Sequence, residues 1–230
     1  MNSNYDMTAE QYEHLYKRYL ARDPKELLKL AGMQEGYRVL DLCAGSNGRA
    51  SKAAIEMGAS RVIAVDLNPY VKLLSGKVWA HNKIEGFCED VYGYLEYMRL
   101  PKEDKFDIVI CQQGINYWLK REVLQKIFGA MKKGSKFVFN TFNKKPSEKP
   151  VIKEYELDGF NYVEINWLDG SFVKHVQVVN NANPHYTEFR WIDSDSIKKI
   201  CEQSFFSVEI VTQGNTDIYV ITREQTPSKK

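Results

Sequence analysis

No apolar stretch in these 230 residues approaches the roughly 18 needed to span a bilayer. Blocks of one charge are missing as well. The 32 Lys and Arg against 30 Asp and Glu leave a net charge of +2, and they are dispersed without a basic arm. Nothing in the charge therefore calls for nucleic acid or an anionic membrane as partner. The N-terminal "MNSNYDMTAEQYEHLYKRYL" lacks the apolar core of a signal peptide. The four cysteines (Cys43, Cys88, Cys111, Cys201) show neither pairing nor metal-ligand spacing. Three of them sit in or beside apolar runs, so reduced, core-like thiols in a cytoplasmic protein are expected. There is no internal repeat. What remains, 43% hydrophobic and 27% charged residues, is ordinary for a globular chain able to bury a substantial core.

Apolar strands alternate with amphipathic helices along the first two thirds. Tyr12, Leu15, Tyr16 and Tyr19 share a helical face, and Pro24 opens a second helix closed by Gly32. Strands are expected at "RVLDLC", "RVIAVDL", "IEGFCED", "KFDIVICQ" and "SKFVFNTFN". Helices are expected at 48–58, 70–82, 91–99 and 121–134, the last ended by Gly134. This grammar predicts a parallel sheet covered on both faces. After Phe142 it changes. The polar, proline-bearing "NKKPSEKP" leads into β-rich segments with Asp158-Gly159 and Asp169-Gly170 as hairpin turns. This reads as an inserted antiparallel sheet of about forty residues. A helix near 194–204 and two closing strands follow. The expected division is a helical cap over 1–34, a core over 35–142 and 192–224, an inserted β lid over 143–191, and a disordered tail over 225–230.

The first turn, "LDLCAGSNGRA" over residues 40–50, lies where α/β sheets bind ligands, outside the carboxyl end of a strand. It lacks G-x-G-x-x-G, keeping Gly45 and Gly48 with Asn47 between them. Asn47 can adopt left-handed backbone and preserve the turn, whereas Cys43 obstructs the closest backbone approach. Such a loop suits a ligand without phosphates.

"VLDLCAGSNGRAS" resembles the first motif of class I S-adenosylmethionine-dependent methyltransferases of the small-molecule N/O type, with Cys43 and Asn47 at two glycine positions. The family's order continues in "VIAVDLN", "GFCEDV", "FDIVICQQ", "MKKGSKFVF" and the two terminal strands. The resemblance implies a Rossmann-like, seven-stranded α/β fold, mostly parallel, ending in an antiparallel hairpin. It also implies S-adenosylmethionine as cofactor and S-adenosylhomocysteine as product. By the same resemblance Asp66, followed by Leu67, takes the ribose hydroxyls, and Asp90 with the Val91 backbone meets the adenine. Gly45 lets the backbone approach the methionine portion, and Asp41 fixes the loop or receives the ammonium. Gln112 and Gln113 stand where methionine moiety and acceptor meet. At least one of Tyr12, Tyr16 and Tyr19 belongs to the site, since aromatic faces suit a sulfonium, and Arg18 is a candidate for the cofactor carboxylate.

Asn116 and Tyr117, in "GINYW", are the candidates to act on the acceptor, with Gln113 and Arg190 as candidates to bind it. His175 and His185 are weaker candidates, since a lone histidine in a sheet is usually packing. The aromatic-rich insert reads as a lid over a compact pocket, so the expected partner is a small-molecule acceptor, an amino sugar among the options. The alternatives are an RNA or protein methyltransferase, a non-catalytic methyltransferase-like subunit, and a nicotinamide-dependent oxidoreductase. The last is disfavoured by the absent glycine pattern and the two final strands. A homodimer is among the open oligomeric states.

Overall fold

The computed structural model describes residues 23–77, 80, 82–97, 104–180, 183–204 and 206–223, together with Glu10 and Glu13. The tyrosines Tyr12, Tyr16 and Tyr19, Arg18, most of the expected N-terminal cap and the 225–230 tail lie outside these residues. Helix α1 (Pro24–Leu30) starts where expected. Pro24 occupies its first turn, and the Asp23 carboxylate accepts from the Lys25 N–H at 2.9 Å. Strand β1 (Arg38–Leu42), helix α2 (Arg49–Glu56) and strand β2 (Arg61–Asp66) follow. After β3 (Ile84–Cys88) come α3 (Val91–Tyr97), β4 (Phe106–Cys111), the short α4 (Ile115–Trp118) and α5 (Arg121–Ala130). Strand β5 (Met131–Phe142) ends this part.

Two elements differ from the sequence reading. The stretch after β2 is a 3-10 helix, Pro69–Gly76, instead of an α-helix over 70–82. Its buried residues, Val71 and Leu74, are three apart, while Leu73 is 59% exposed. That spacing puts both on one side of a helix with three residues per turn. Helix α5 ends at Ala130, four residues before Gly134, because Met131 is drawn into the sheet. Met131 is fully buried opposite Phe106, and a register shift then carries β5 to Lys136 opposite Ile108.

The main sheet has seven strands in the order β10-β11-β5-β4-β1-β2-β3, where β10 is Phe206–Gln213 and β11 is Thr216–Arg223. Strands β1 to β5 run parallel, and only β11 opposes its neighbours β5 and β10. Alternate residues of each strand feed two cores. Leu40, Leu42, Val109, Phe137 and Phe139 meet α3, α5 and α6 (Ser194–Glu202). Val39, Val62, Ala64, Ile108 and Val138 meet α1, α2 and the 3-10 helix. Ala50, Ala53 and Ala54 let α2 lie close on that face. All four cysteines are free thiols, and no described helix is long and apolar enough to cross a membrane.

The insert is a separate antiparallel sheet in the order β6-β7-β8-β9: Val151–Leu157, Phe160–Asp169, Phe172–Val179 and His185–Arg190. The first hairpin turns at Asp158-Gly159 as expected. The second turns at Gly170-Ser171, one residue later than expected, because Asp169 still pairs with Phe172. The stem of the insert is closed by one carboxylate. Asn143 Nδ2 donates to Asp217 Oδ1 at 3.0 Å, and Ser194 Oγ donates to Asp217 Oδ2 at 2.8 Å. Chain entry and exit are thus fixed to the same residue of β11.

Gly86 on β3 exists to let the 3-10 helix approach. A Cβ there would lie 2.1 Å from the Val71 carbonyl oxygen, so Gly86→Ala is expected to cost about 1–3 kcal/mol through forced backbone displacement. Gly129, inside α5, has open space around it. Gly129→Ala should instead stabilise by roughly 0.5–1 kcal/mol through helix propensity. Paired urea denaturation curves check both signs.

Candidate active site

The loop after β1 turns through three left-handed residues: Cys43 (φ 60°), Gly45 (φ 67°) and Gly48 (φ 57°). Asn47 is not among them, so the turn rests on Cys43 and the two glycines, contrary to the expectation that Asn47 would carry it. The strain at Cys43, a non-glycine in this region, is met by packing. Trp118 Nε1 donates to Cys43 Sγ at 3.2 Å, and a Cβ on Gly114 would lie 2.4 Å from that of Cys43. The space that the cysteine takes in one loop is released by a glycine in another.

The two aspartates at the strand ends have different fates. Asp41 is buried and accepts from Ser51 Oγ at 2.6 Å, tying β1 to α2. It does not line the cavity described below. Asp66 lies at the cavity wall. Its Oδ2 accepts from the Gly45 N–H at 2.8 Å and its Oδ1 from the Asn68 N–H at 2.7 Å. A carboxylate has about four lone-pair sites, which leaves acceptors for two further hydroxyls. The Gly45 N–H, which in a phosphate-binding loop would face the anion, is spent on Asp66. Burial raises the Asp66 pKa against the lowering effect of those two backbone donors.

One cavity of 1540 Å³ gathers most of the expected site: Gly45, Asp66, Leu67, Asp90, Val91, Gln112, Gln113, Asn116 and Tyr117. It exceeds the roughly 300–1,000 Å³ of an ordinary small-molecule pocket, giving room for two ligands side by side. Asp90 Oδ1 accepts from the Gly93 N–H at 2.9 Å, so this residue caps α3 while also lining the cavity. Leu67 is 44% exposed and, with buried Val91, gives this end an apolar wall. Gln113 holds a left-handed backbone and donates its N–H to Asn140 Oδ1 at 2.9 Å. Asn116 is buried and accepts from Thr141 Oγ1 at 2.9 Å. These residues fit S-adenosylmethionine: a carboxylate for vicinal hydroxyls, an apolar slot for a purine, and a loop with no phosphate cradle.

The opposite wall comes from the inserted sheet. Tyr117 meets Phe189 of β9 edge-to-face, with ring centroids 6.0 Å apart. Behind Phe189 the cavity is lined by Lys153, Glu164, Asn166, His175 and Thr187. His175 Nδ1 lies 3.1 Å from Thr187 Oγ1, and burial lowers the pKa of the imidazole against the pull of Glu164. His185 is buried but does not line the cavity, and Arg190 is solvent-exposed at the end of β9, away from it. Arg190 is therefore not brought into the site. Glu164, Asn140 and Thr141 are site residues that the sequence reading missed.

Burial raises Asp41 to about 7, with the Ser51 hydrogen bonds opposing it. A carboxyl held more tightly protonated in the fold than its unfolded value of 3.8 loses stabilisation as pH rises. Folding stability should fall between about pH 4 and 7 through this group and level off above. Asp41→Asn should remove that component, so the difference between variant and wild type in denaturant midpoint should grow across the same window.

The family described as "Methyltransferase domain" matches residues 40–139. The ubiquinone/menaquinone biosynthesis C-methyltransferase UbiE of Pseudomonas putida (strain W619) is 24% identical over 162 residues, 70% of this chain. The chain spans about 60% of the length of that relative. Among solved structures, an S-adenosylmethionine-dependent methyltransferase from Clostridium acetobutylicum superposes with a TM-score of 0.70 at 17% identity, covering 94% of this chain and 99% of its own. CalS10, an amino pentose methyltransferase from Micromonospora echinaspora, gives 0.70 at 14%, covering 95% and 98%. Strand order and the matched segment agree: residues 40–139 match a methyltransferase domain, and the chain has the fold of the S-adenosylmethionine-dependent methyltransferases on which it superposes.

Proposed function

We propose that this protein transfers a methyl group from S-adenosylmethionine to a nitrogen or oxygen of a small polar molecule enclosed between the strand ends and the inserted sheet. The observation that carries the reading is the continuity of the cavity, from Asp66 and Asp90 at one end to the inner face of the lid at the other. The lid wall is polar, with Glu164, Asn166, His175 and Thr187, which favours a hydrogen-bonding acceptor. An amino sugar is one such acceptor, and the amino pentose enzyme named above has the same fold. Transfer to carbon is the second reading, favoured by the UbiE relative, a C-methyltransferase.

The cofactor, when bound, supplies a methyl group already activated by its sulfonium. The residues of the chain do the rest. Asp66 holds the ribose hydroxyls, with Leu67 beside it, while Asp90 and the Val91 backbone hold the adenine. Gly45, with Asp41 fixing its loop, flanks the methionine portion. Gln112 and Gln113 stand at the border with the acceptor, and Asn116 and Tyr117 face the acceptor itself. In our proposal Tyr12, Tyr16 or Tyr19 completes the enclosure. Alignment of nucleophile with methyl group can supply several kcal/mol, and the lid excludes water.

Calorimetry should give micromolar binding of S-adenosylmethionine and S-adenosylhomocysteine and none of NAD. Asp66→Ala should weaken that binding by roughly 1.5–3 kcal/mol, the scale of hydrogen bonds to a charged group, without unfolding the chain. Replacing residues 144–193 by a short Gly/Ser linker is feasible because both stem residues reach Asp217. The truncated protein should keep its cofactor affinity and lose methyl transfer. Normal turnover without the insert would remove the lid from the mechanism.

A further inference from the structure

Where β5 runs out toward the insert, two asparagines reach the cavity with one end of each side chain already committed. Asn140 Oδ1 accepts from the Gln113 N–H at 2.9 Å, and Asn116 Oδ1 accepts from Thr141 Oγ1 at 2.9 Å. A carboxamide is planar, with its acceptor and its donors on opposite sides, so each bond fixes which way the NH2 group faces. Asn140 is 2% and Asn116 7% exposed, and both line the cavity. Neither Nδ2 has a hydrogen-bond partner among the described residues, and neither is sealed off from solvent. What exposure they keep is therefore toward the cavity. Holding two primary amides there with their donor ends open costs folding free energy unless a ligand or water meets them.

We propose that Asn116 and Asn140 select the acceptor, and that they receive an oxygen that accepts hydrogen bonds and donates none: the oxygen of a carboxylate, a phenolate or an enolate. The proposal rests on the methyl-transfer reading of the cavity. N–H donors match the lone pairs of such an oxygen, and hydrogen bonds to a charged oxygen are roughly twice as strong as neutral ones. Methyl transfer needs a nucleophile relieved of its proton. Neutral donors favour that state without placing a cation beside the sulfonium. The rival occupant is the methionine carboxylate of the cofactor, and place in the fold argues against it. Asn116 stands on α4 next to Tyr117, whose ring meets Phe189 of the lid. Asn140 and Thr141 end β5, just before the chain enters the insert at Asn143. Gly45, Asp66 and Asp90 follow β1, β2 and β3, which lie on the other side of β4 in the strand order.

The test uses the full chain saturated with S-adenosylhomocysteine and two matched probe pairs, benzoate against benzyl alcohol and ionised 4-nitrophenol against 4-nitroaniline. Calorimetric titration should show at least one oxyanion binding about tenfold or more tightly than its neutral partner, the scale of one hydrogen bond to a charged group. Which pair responds tells a carboxylate from a phenolate or enolate. Asn116→Asp and Asn140→Asp keep the oxygen that Thr141 and Gln113 need and replace the NH2 group by an acceptor. Each should bring the ratio below about twofold while leaving S-adenosylhomocysteine affinity unchanged. Asn140→Leu, or Asn116→Leu where that fails to fold, adds no charge and should lower the ratio at least about threefold. That variant separates loss of a donor from simple repulsion. A ratio near one for both pairs in the wild type, or a ratio that survives both Asp variants, overturns the assignment. So does a ratio lost in the Asp variants and kept in the Leu variant. A loss of S-adenosylhomocysteine affinity in either Asp variant would make the cofactor carboxylate the occupant and overturn it as well. If the wild type binds no S-adenosylhomocysteine, the methyl-transfer reading falls instead.

Discussion

Everything in the site depends on the parallel pairing of β1 with β4. Strand β1 has β2 on one side and β4 on the other, so the chain leaves β1 in opposite directions at its two crossovers. The loops after β1 and β4 part there, and a crevice opens outside the carboxyl ends of the strands. Val39, Leu40 and Asp41 are in register with Ile108, Val109 and Ile110. That register brings Cys43 and Gly114 into contact just beyond the strands. A slip of one residue would exchange the two cores and separate these loops.

Within that crevice, backbone amides and carboxylates have been assigned to one another in a way that selects the ligand class. Asp66 ties the first loop to the second through Gly45 and Asn68. It thereby consumes a backbone donor that a pyrophosphate would need, and keeps lone pairs for hydroxyl groups. The departure at Cys43 does not undo this. Its side chain packs toward Gly114 and Trp118, so the altered first motif is compensated across space by a residue 71 positions later. An altered motif read by itself overstates the loss of function, because compensation need not be adjacent in sequence.

The fold was legible because a parallel sheet covered on both faces demands unbroken apolar strands, and residues 38–42, 61–66 and 106–111 supply them. The place of Asp66 at the cavity wall was legible for a similar reason, since it ends such a strand at a fixed place in the order. The acceptor wall was not. In "FNYVEINWLD" Glu164 and Asn166 alternate with Val163, Ile165 and Trp167, and the structure turns the face with Glu164 and Asn166 to the cavity. Alternation reveals that two faces differ, and it says nothing about which face is covered. Arg190 was misplaced by the same ambiguity, since an exposed strand end and a cavity-facing one carry the same residue type. The 3-10 helix escaped because Val71 and Leu74 satisfy both the three-residue and the 3.6-residue period over so short a stretch.

The architecture separates two tasks that a single loop could not perform well together. Gly45, Asp66 and Asp90 line the cavity from loops anchored directly on the buried parallel strands, where a shift of a few tenths of an ångström would disturb both cores. The facing wall of the cavity belongs to a sheet that enters at Asn143 and leaves at Ser194, both bonded to the carboxylate of Asp217. Because that stem closes on itself, the inner face of the insert can change residue by residue without moving Asp66 or Gly45. The coupling that remains is the contact between Tyr117 and Phe189, one ring from the loop after β4 and one from the lid. Through that contact the position of the acceptor wall is set relative to the strand ends.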